Sequence, residues 1–137
     1  MIAVTHASTY EAGVRELVGA VLRRSRGRLE LAAFDEEVAR GDRTLFASRD
    51  SVGRIRSICT AALLEYPSGL TVVDIDHASG TLEDLPLFLP VLVGLGRENG
   101  AHRLQLEGRK GWSRVLPGAW REYSRKIELD LGGACGR

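Results

Sequence analysis

Apolar residues recur at helical spacing in the first third of the chain. Val14, Leu17, Val18, Val21 and Leu22 fall on one face and predict an amphipathic helix. Ser8 and Glu11 have the S-x-x-E form of a capping box ahead of it. Arg23, Arg24 and Arg26 crowd its last turn, where the negative end of the helix dipole favours cations, and Gly27 suits a left-handed cap. Those arginines also admit an anion-binding reading, against the simpler one of a solvated helix end. A second helix is predicted from about Glu30 to Arg40, with Leu31, Phe34 and Val38 on one side and Glu36, Glu37 and Arg40 on the other, ending at Gly41. So short a connection packs the two helices as a corner over one sheet.

The period then changes. Thr44 to Arg49 reads as a short strand, Asp50 to Gly53 as a turn, and Arg54 to Glu65 as a longer strand. Its alternation is imperfect, which calls for a bulge or for burial on both faces. Tyr66-Pro67-Ser68-Gly69 is a turn and Leu70 to Asp76 the next strand, so these three form an antiparallel meander. Thr81 with Asp84 is a second candidate capping box before the apolar segment Leu85 to Leu95. That segment is apolar around nearly its whole circumference and reads as a central, buried helix, with Pro86 suited to its first turn and Pro90 to a kink. Asn99-Gly100 ends it. His102 to Gly108 reads as a strand with Leu104 and Leu106 inward, Lys110 to Leu116 as a short helix, and Glu122 to Leu131 as a final alternating strand. Residues 132–137 read as a flexible tail. The expected fold class is α+β: one domain over residues 1–131, with a mixed, mostly antiparallel sheet flanked by helices.

Composition narrows the function classes. The 137 residues are 44% hydrophobic and 27% charged, enough for one ordinary core. Lys plus Arg total 19 against 18 acids, so no global field attracts nucleic acid, and direct nucleic-acid binding is not expected. Leu85 to Leu95 is too short to span a bilayer, and no charged-then-apolar leader opens the chain. Neither membrane insertion nor secretion by a signal peptide is expected. Cys59 and Cys135 are far apart, and with three scattered histidines they match no metal-ligand spacing, so no metal site is expected. Cys59, in an apolar run, reads as core rather than as a nucleophile.

The element order, the buried helix and the run Glu98-Asn99-Gly100-Ala101-His102-Arg103-Leu104-Gln105-Leu106 resemble the GCN5-related N-acetyltransferase (GNAT) fold. The continuation Glu107-Gly108-Arg109-Lys110-Gly111-Trp112 is similar to a variant found in phage-encoded GNAT-like proteins. The resemblance implies an acetyl-CoA site between a strand and the central helix, in a Q/R-x-x-G-x-G/A loop whose N–H groups hold the pyrophosphate. The matching loop runs from His77 to Asp84 and offers one glycine, with Glu83 and Asp84 where phosphates would sit. Each such repulsion costs about 1 kcal/mol in water and more where partly buried. If acetyl-CoA binds, Gly80 and Thr81 are its contacts. Asp74 and Asp76 lie on the strand where the family often carries a carboxylate base, and are the candidate catalytic pair. No tyrosine stands between Ser113 and Gly118, where the resemblance implies a general acid.

Arg109, Trp112, Arg114, Trp120, Arg121 and Arg125 mix the residue types enriched at interface hot spots, and form a candidate interaction segment. Packing of the aromatics against the sheet is the simpler reading. From these features the expected function is a non-catalytic, phage-encoded GNAT-like protein without a cofactor. It is expected in the virion or the host cytoplasm, contacting other virion or assembly proteins in an oligomeric setting. The alternative is an active acetyl-CoA-dependent N-acetyltransferase acting on a protein or small amine.

Overall fold

The computed structural model describes residues 1–25, 27–106, 116–118, 120, 121, 129 and 131. In chain order they form β1 (Ala3–His6), α1 (Ala12–Arg24), α2 (Leu31–Arg40), β2 (Thr44–Arg49), β3 (Ile55–Glu65), β4 (Thr71–Gly80), a 3-10 turn (Leu82–Asp84), α3 (Leu85–Glu98) and β5 (Arg103–Leu106). The five strands make one sheet in sequence order, antiparallel from β1 to β4 and parallel between β4 and β5. A parallel pair needs a crossover, and α3 supplies it.

Side-chain alternation along the sheet feeds two cores. On one face Leu45, Ala47 and Ile58 meet Val14, Val18 and Val21 of α1 and Phe34 of α2. On the other, Phe46, Cys59, Ala61, Val73 and Ile75 meet Phe88 and Leu92 of α3. Burial on both faces explains why β3 lacks a clean alternation. At about 25 cal/mol per Å² of apolar area, these two layers are the main source of stability. Ion pairs fasten the helices: Arg15 to Asp35 at 2.7 Å joins α1 to α2, and Arg49 grips Glu11 at 2.8 and 2.9 Å across the start of α1.

Several expectations need correction. β1 precedes the first helix and was not predicted, because four residues at a sheet edge carry too little pattern. The Ser8–Glu11 capping box does not form: Glu11 is spent on Arg49, and the Ser8 hydroxyl accepts instead from the Tyr10 N–H at 3.1 Å. β4 runs on to Gly80 instead of stopping at Asp76, since residues 77–80 pair with Ser57 to Thr60 of β3. Thr81 and Asp84 form no capping box either, and Asp84 sits at the start of α3 without a side-chain cap bond. α3 is not buried all round: Leu87 is 43% exposed while Leu85, Phe88, Leu89 and Leu92 are covered. The predicted helix at 110–116, most of the strand at 122–131, the tail at 132–137 and Cys135 lie outside the described residues. No described helix is long and apolar enough to cross a membrane.

Candidate functional site

β5 pairs with β4 from Arg103–Val72 to Leu106–Ile75 and, among the described residues, no further. β4 continues to Gly80, paired among those residues with β3 alone. Just beyond the last described β4–β5 pair, β4 carries a bulge. Ala61 faces Ile75 and Thr60 faces His77, so Asp76 is an extra residue on β4. A bulge bends its strand and strengthens the local twist. A strand paired on one side alone presents backbone N–H and C=O groups on the other. At Ala78, beyond the last β4–β5 pair, the carbonyl accepts a bond from Arg24 Nη2 at 2.5 Å.

The bulge also sorts the acidic residues. Asp76 accepts from Thr60 Oγ1 and from Arg43 Nε, both at 2.5 Å, and Arg43 also pairs with Glu37 of α2. Asp74 accepts from Gln105 Nε2 of β5 at 3.2 Å. Each candidate carboxylate thus has its own partners, and no catalytic pair is formed between them by these bonds. His77 is different. It packs beside the Phe34 ring, with its Nε2 buried, without a hydrogen-bond partner among the described residues and 3.9 Å from Asp76 Oδ2. Burial lowers its pKa; Asp76 opposes this, while Arg43 and Arg24 add to it. The imidazole is therefore neutral at pH 7, with one nitrogen facing a carboxylate and no competing donor among the described residues. Sequence reading passed over His77, although a histidine at the end of an apolar strand beside Asp76 was the available signal.

Beneath the start of α3 lies a second polar group. Asp84, 3% exposed, accepts from Arg56 Nε at 2.8 Å, Arg56 Nη2 at 3.2 Å and Ser48 Oγ at 3.0 Å. Ser48 is in turn bonded to Ser57. The Arg56 hydrogen bond holds the Asp84 carboxyl below its usual range in spite of burial, with Ser48 assisting. This corrects the expectation of two acids facing an incoming phosphate: Asp84 turns inward onto Arg56, and only Glu83 is exposed. Gly80 and Thr81, the expected cofactor contacts, are both engaged by β3. Gly80 has φ +104, and a Cβ there would run into the Arg56 carbonyl and lie 2.7 Å from Ser57 Cα. The Thr81 N–H donates to the Arg56 carbonyl at 3.2 Å.

An apolar groove of about 520 Å³ runs along the outer side of α3, lined by Pro86, Leu89, Pro90, Val93, Leu104, Pro117 and Trp120. Trp120 is half-buried, packs against Leu85, Leu89 and Leu116, and donates its ring N–H to the Pro117 carbonyl at 2.9 Å. It is a wall of this groove, with Arg121 exposed beside it. Arg109, Trp112, Arg114 and Arg125 lie outside the described residues. Cys59 is fully buried, and burial pushes its thiol up to about 12, so it is core and not a nucleophile.

No family model matches the chain, and no curated protein matches it either. Solved structures do. An acetyltransferase from Trypanosoma brucei aligns with 96% of this chain and 100% of its own at 15% identity and a TM-score of 0.67. An aminoglycoside acetyltransferase from an uncultured soil metagenomic sample, solved with sisomicin, aligns with 96% of this chain and 97% of its own at 10% identity and 0.70. A predicted acetyltransferase from Clostridium acetobutylicum, solved with acetyl-CoA, covers 96% and 97% at 15% identity and 0.66. At these identities the likeness is one of fold, and the fold of this chain is a GNAT-like α+β fold.

Proposed function

We propose that this chain is an acetyl-CoA-dependent N-acetyltransferase, the reading held above as the alternative. The observation that carries it is the partly buried, neutral His77, set beside Asp76 at the β4 bulge just past the last described β4–β5 pair. Neighbours with this fold that are named acetyltransferases, one of them solved with acetyl-CoA, support the same reading.

Acetyl-CoA carries an extended arm with two amides. The edge of β4 beyond its last pair with β5 fits such a chain, because it offers the groups that a further strand would use. The Ala78 carbonyl on this strand already accepts from Arg24, so a bound chain would share or displace that bond. His77 to Gly80 would hold the arm. When bound, the cofactor supplies an acetyl thioester, whose C–S bond breaks as the N–C bond to the acceptor amine forms. The His77 imidazole takes the proton that the amine loses, and Asp76, 3.9 Å from its Nε2, stabilises the imidazolium so formed. The same proton is available to the departing thiolate, which closes the proton balance.

The experiment is thiol release from acetyl-CoA with a panel of primary amines, comparing the wild type with His77→Gln. Amine-dependent release, reduced about 100-fold or more in kcat by the substitution, is the expected result. No release with any amine refutes the proposal. A second reading, a non-catalytic chain of the same fold, is favoured by the engagement of Gly80 and Thr81 with β3. It requires that no thioester binds at all.

A further inference from the structure

His77 stands on β4 between a negative group and a positive one. The residue before it, Asp76, shares Arg43 with Glu37: Arg43 Nε donates to Asp76 and Arg43 Nη1 pairs with Glu37. One guanidinium balances only one of the two carboxylates, so the group keeps a negative charge. The side chains of Arg43, Asp76 and Glu37 are 20%, 15% and 29% exposed, so water and salt screen that charge less than they would at the open surface.

The residue after His77 carries the opposite sign. The Ala78 carbonyl accepts from Nη2 of Arg24, an exposed side chain in the last turn of α1. That bond pins the guanidinium to the strand, and its charge is near enough to act on the His77 imidazole. Arg15, Arg40, Arg43, Arg49, Arg54 and Arg56 each pair with a carboxylate. Arg24 pairs with none among the described residues. A guanidinium has five N–H groups, so one backbone bond leaves the others for a further acceptor. A planar fork fixed at one corner loses little freedom when it closes on a carboxylate.

A molecule with an ammonium and a carboxylate close together matches these two charges flanking one residue. We infer that the acceptor is a free amino acid, its carboxylate held by Arg24 and its amine placed at His77 on the side of Asp76. The inference rests on the acetyltransferase reading and narrows its acceptors from primary amines at large to amino carboxylates. A carboxylate fits better than a phosphate, because a single unpaired cation balances a single negative charge. Arg24 binds and orients the acceptor and takes no part in proton transfer.

The test pairs L-alanine, L-leucine, L-glutamate and L-lysine each with its own amide, and adds ethylamine and O-phosphoethanolamine. Thiol release from acetyl-CoA is measured with each compound. The same compounds are titrated calorimetrically into the protein, so that binding is read without turnover. The best amino acid should exceed its amide and ethylamine about tenfold or more in kcat/KM, and bind more tightly by a similar factor. Arg24→Gln, at an exposed position, should keep the circular dichroism of the wild type. It should bring that amino acid to within about threefold of its amide, chiefly through KM. Arg24→Lys, which keeps the charge without the fork, should restore part of the preference.

The inference falls if the amides or ethylamine serve as well as the amino acids, or if O-phosphoethanolamine binds more tightly than any of them. It falls equally if the preference survives Arg24→Gln. Absence of thiol release with every amine overturns the acetyltransferase reading instead, and the titrations then decide on Arg24 alone. Tighter binding of an amino acid than of its amide, lost in Arg24→Gln, upholds the site; equal binding, or none, overturns it.

Discussion

Replacing Gly80 by alanine tests the central packing claim, that the end of β4 is pressed against β3 and not held open for a ligand. Gly80 has φ +104, where an L-residue pays about 1–2 kcal/mol for its Cβ alone. That Cβ would also meet the Arg56 carbonyl and stand 2.7 Å from Ser57 Cα, both backbone atoms that cannot rotate away. Relief requires the loop to lift. Lifting breaks the Thr81 bond to Arg56, worth about 1 kcal/mol. Overpacking of this kind adds about 1–3 kcal/mol. The expected loss is therefore about 3–6 kcal/mol, a large part of the roughly 5–15 kcal/mol that holds a domain of this size together.

Gly41 supplies the control. It ends α2 at φ +80, and an added Cβ there would have nothing within 4 Å, so Gly41→Ala carries the backbone cost without the contact, about 1 kcal/mol. Urea unfolding followed by circular dichroism gives both values on one scale. If the two substitutions cost the same within about 0.5 kcal/mol, Gly80 is not pressed against β3. A Gly80→Ala chain that fails to fold agrees with the reasoning.

Three further outcomes follow from the same geometry. Ser48→Ala removes a fully buried hydroxyl bonded to both Asp84 and Ser57, and should cost about 1–2 kcal/mol in urea unfolding. Asp84→Asn should destabilise at neutral pH. Because Arg56 holds the folded carboxyl below the ordinary 3.8, the wild-type advantage is complete above that pH and is lost as pH falls through the lower folded value, which unfolding curves across the acid range will read. In the transfer assay, kcat/KM should be level at neutral pH and fall only below 6.5, since burial depresses the His77 pKa from that value and keeps the base neutral; a fall centred above 6.5 would exclude His77 as that base.

Much of the fold is legible in the order of residues. The predicted strand Thr44 to Arg49 and the stop of α2 at Gly41 match the structure, because each depends on its own periodicity and turn residues. The meander follows from short turns in the same way. What the pattern hides is whatever depends on a distant partner. Residues 77–80 carry polar and small side chains and read as a loop, yet β3 holds them as strand. The bulge at Asp76 is a matter of register between two strands, and no periodicity within β4 reveals it. The expectation about Asp84 failed for the same reason. An acid at a helix start reads as a solvated complement to the dipole, and only the approach of Arg56 and Ser48 turns it into a buried anion.

The bulge and the buried anion bear on the function in opposite ways. One extra residue in β4 bends the strand just past its last described pair with β5 and sets His77 beside Asp76. The Asp84–Arg56 pair lies beneath the loop before α3, in which the Thr81 N–H is bonded to the Arg56 carbonyl and the Asp84 N–H to the Thr81 carbonyl. Breaking the pair would not by itself create a phosphate site. It would leave Arg56 without its carboxylate, but Pro86 would still lack an N–H and Gly80 would still face the Arg56 carbonyl. A chain that relies on this loop for its donor needs changes at several positions together.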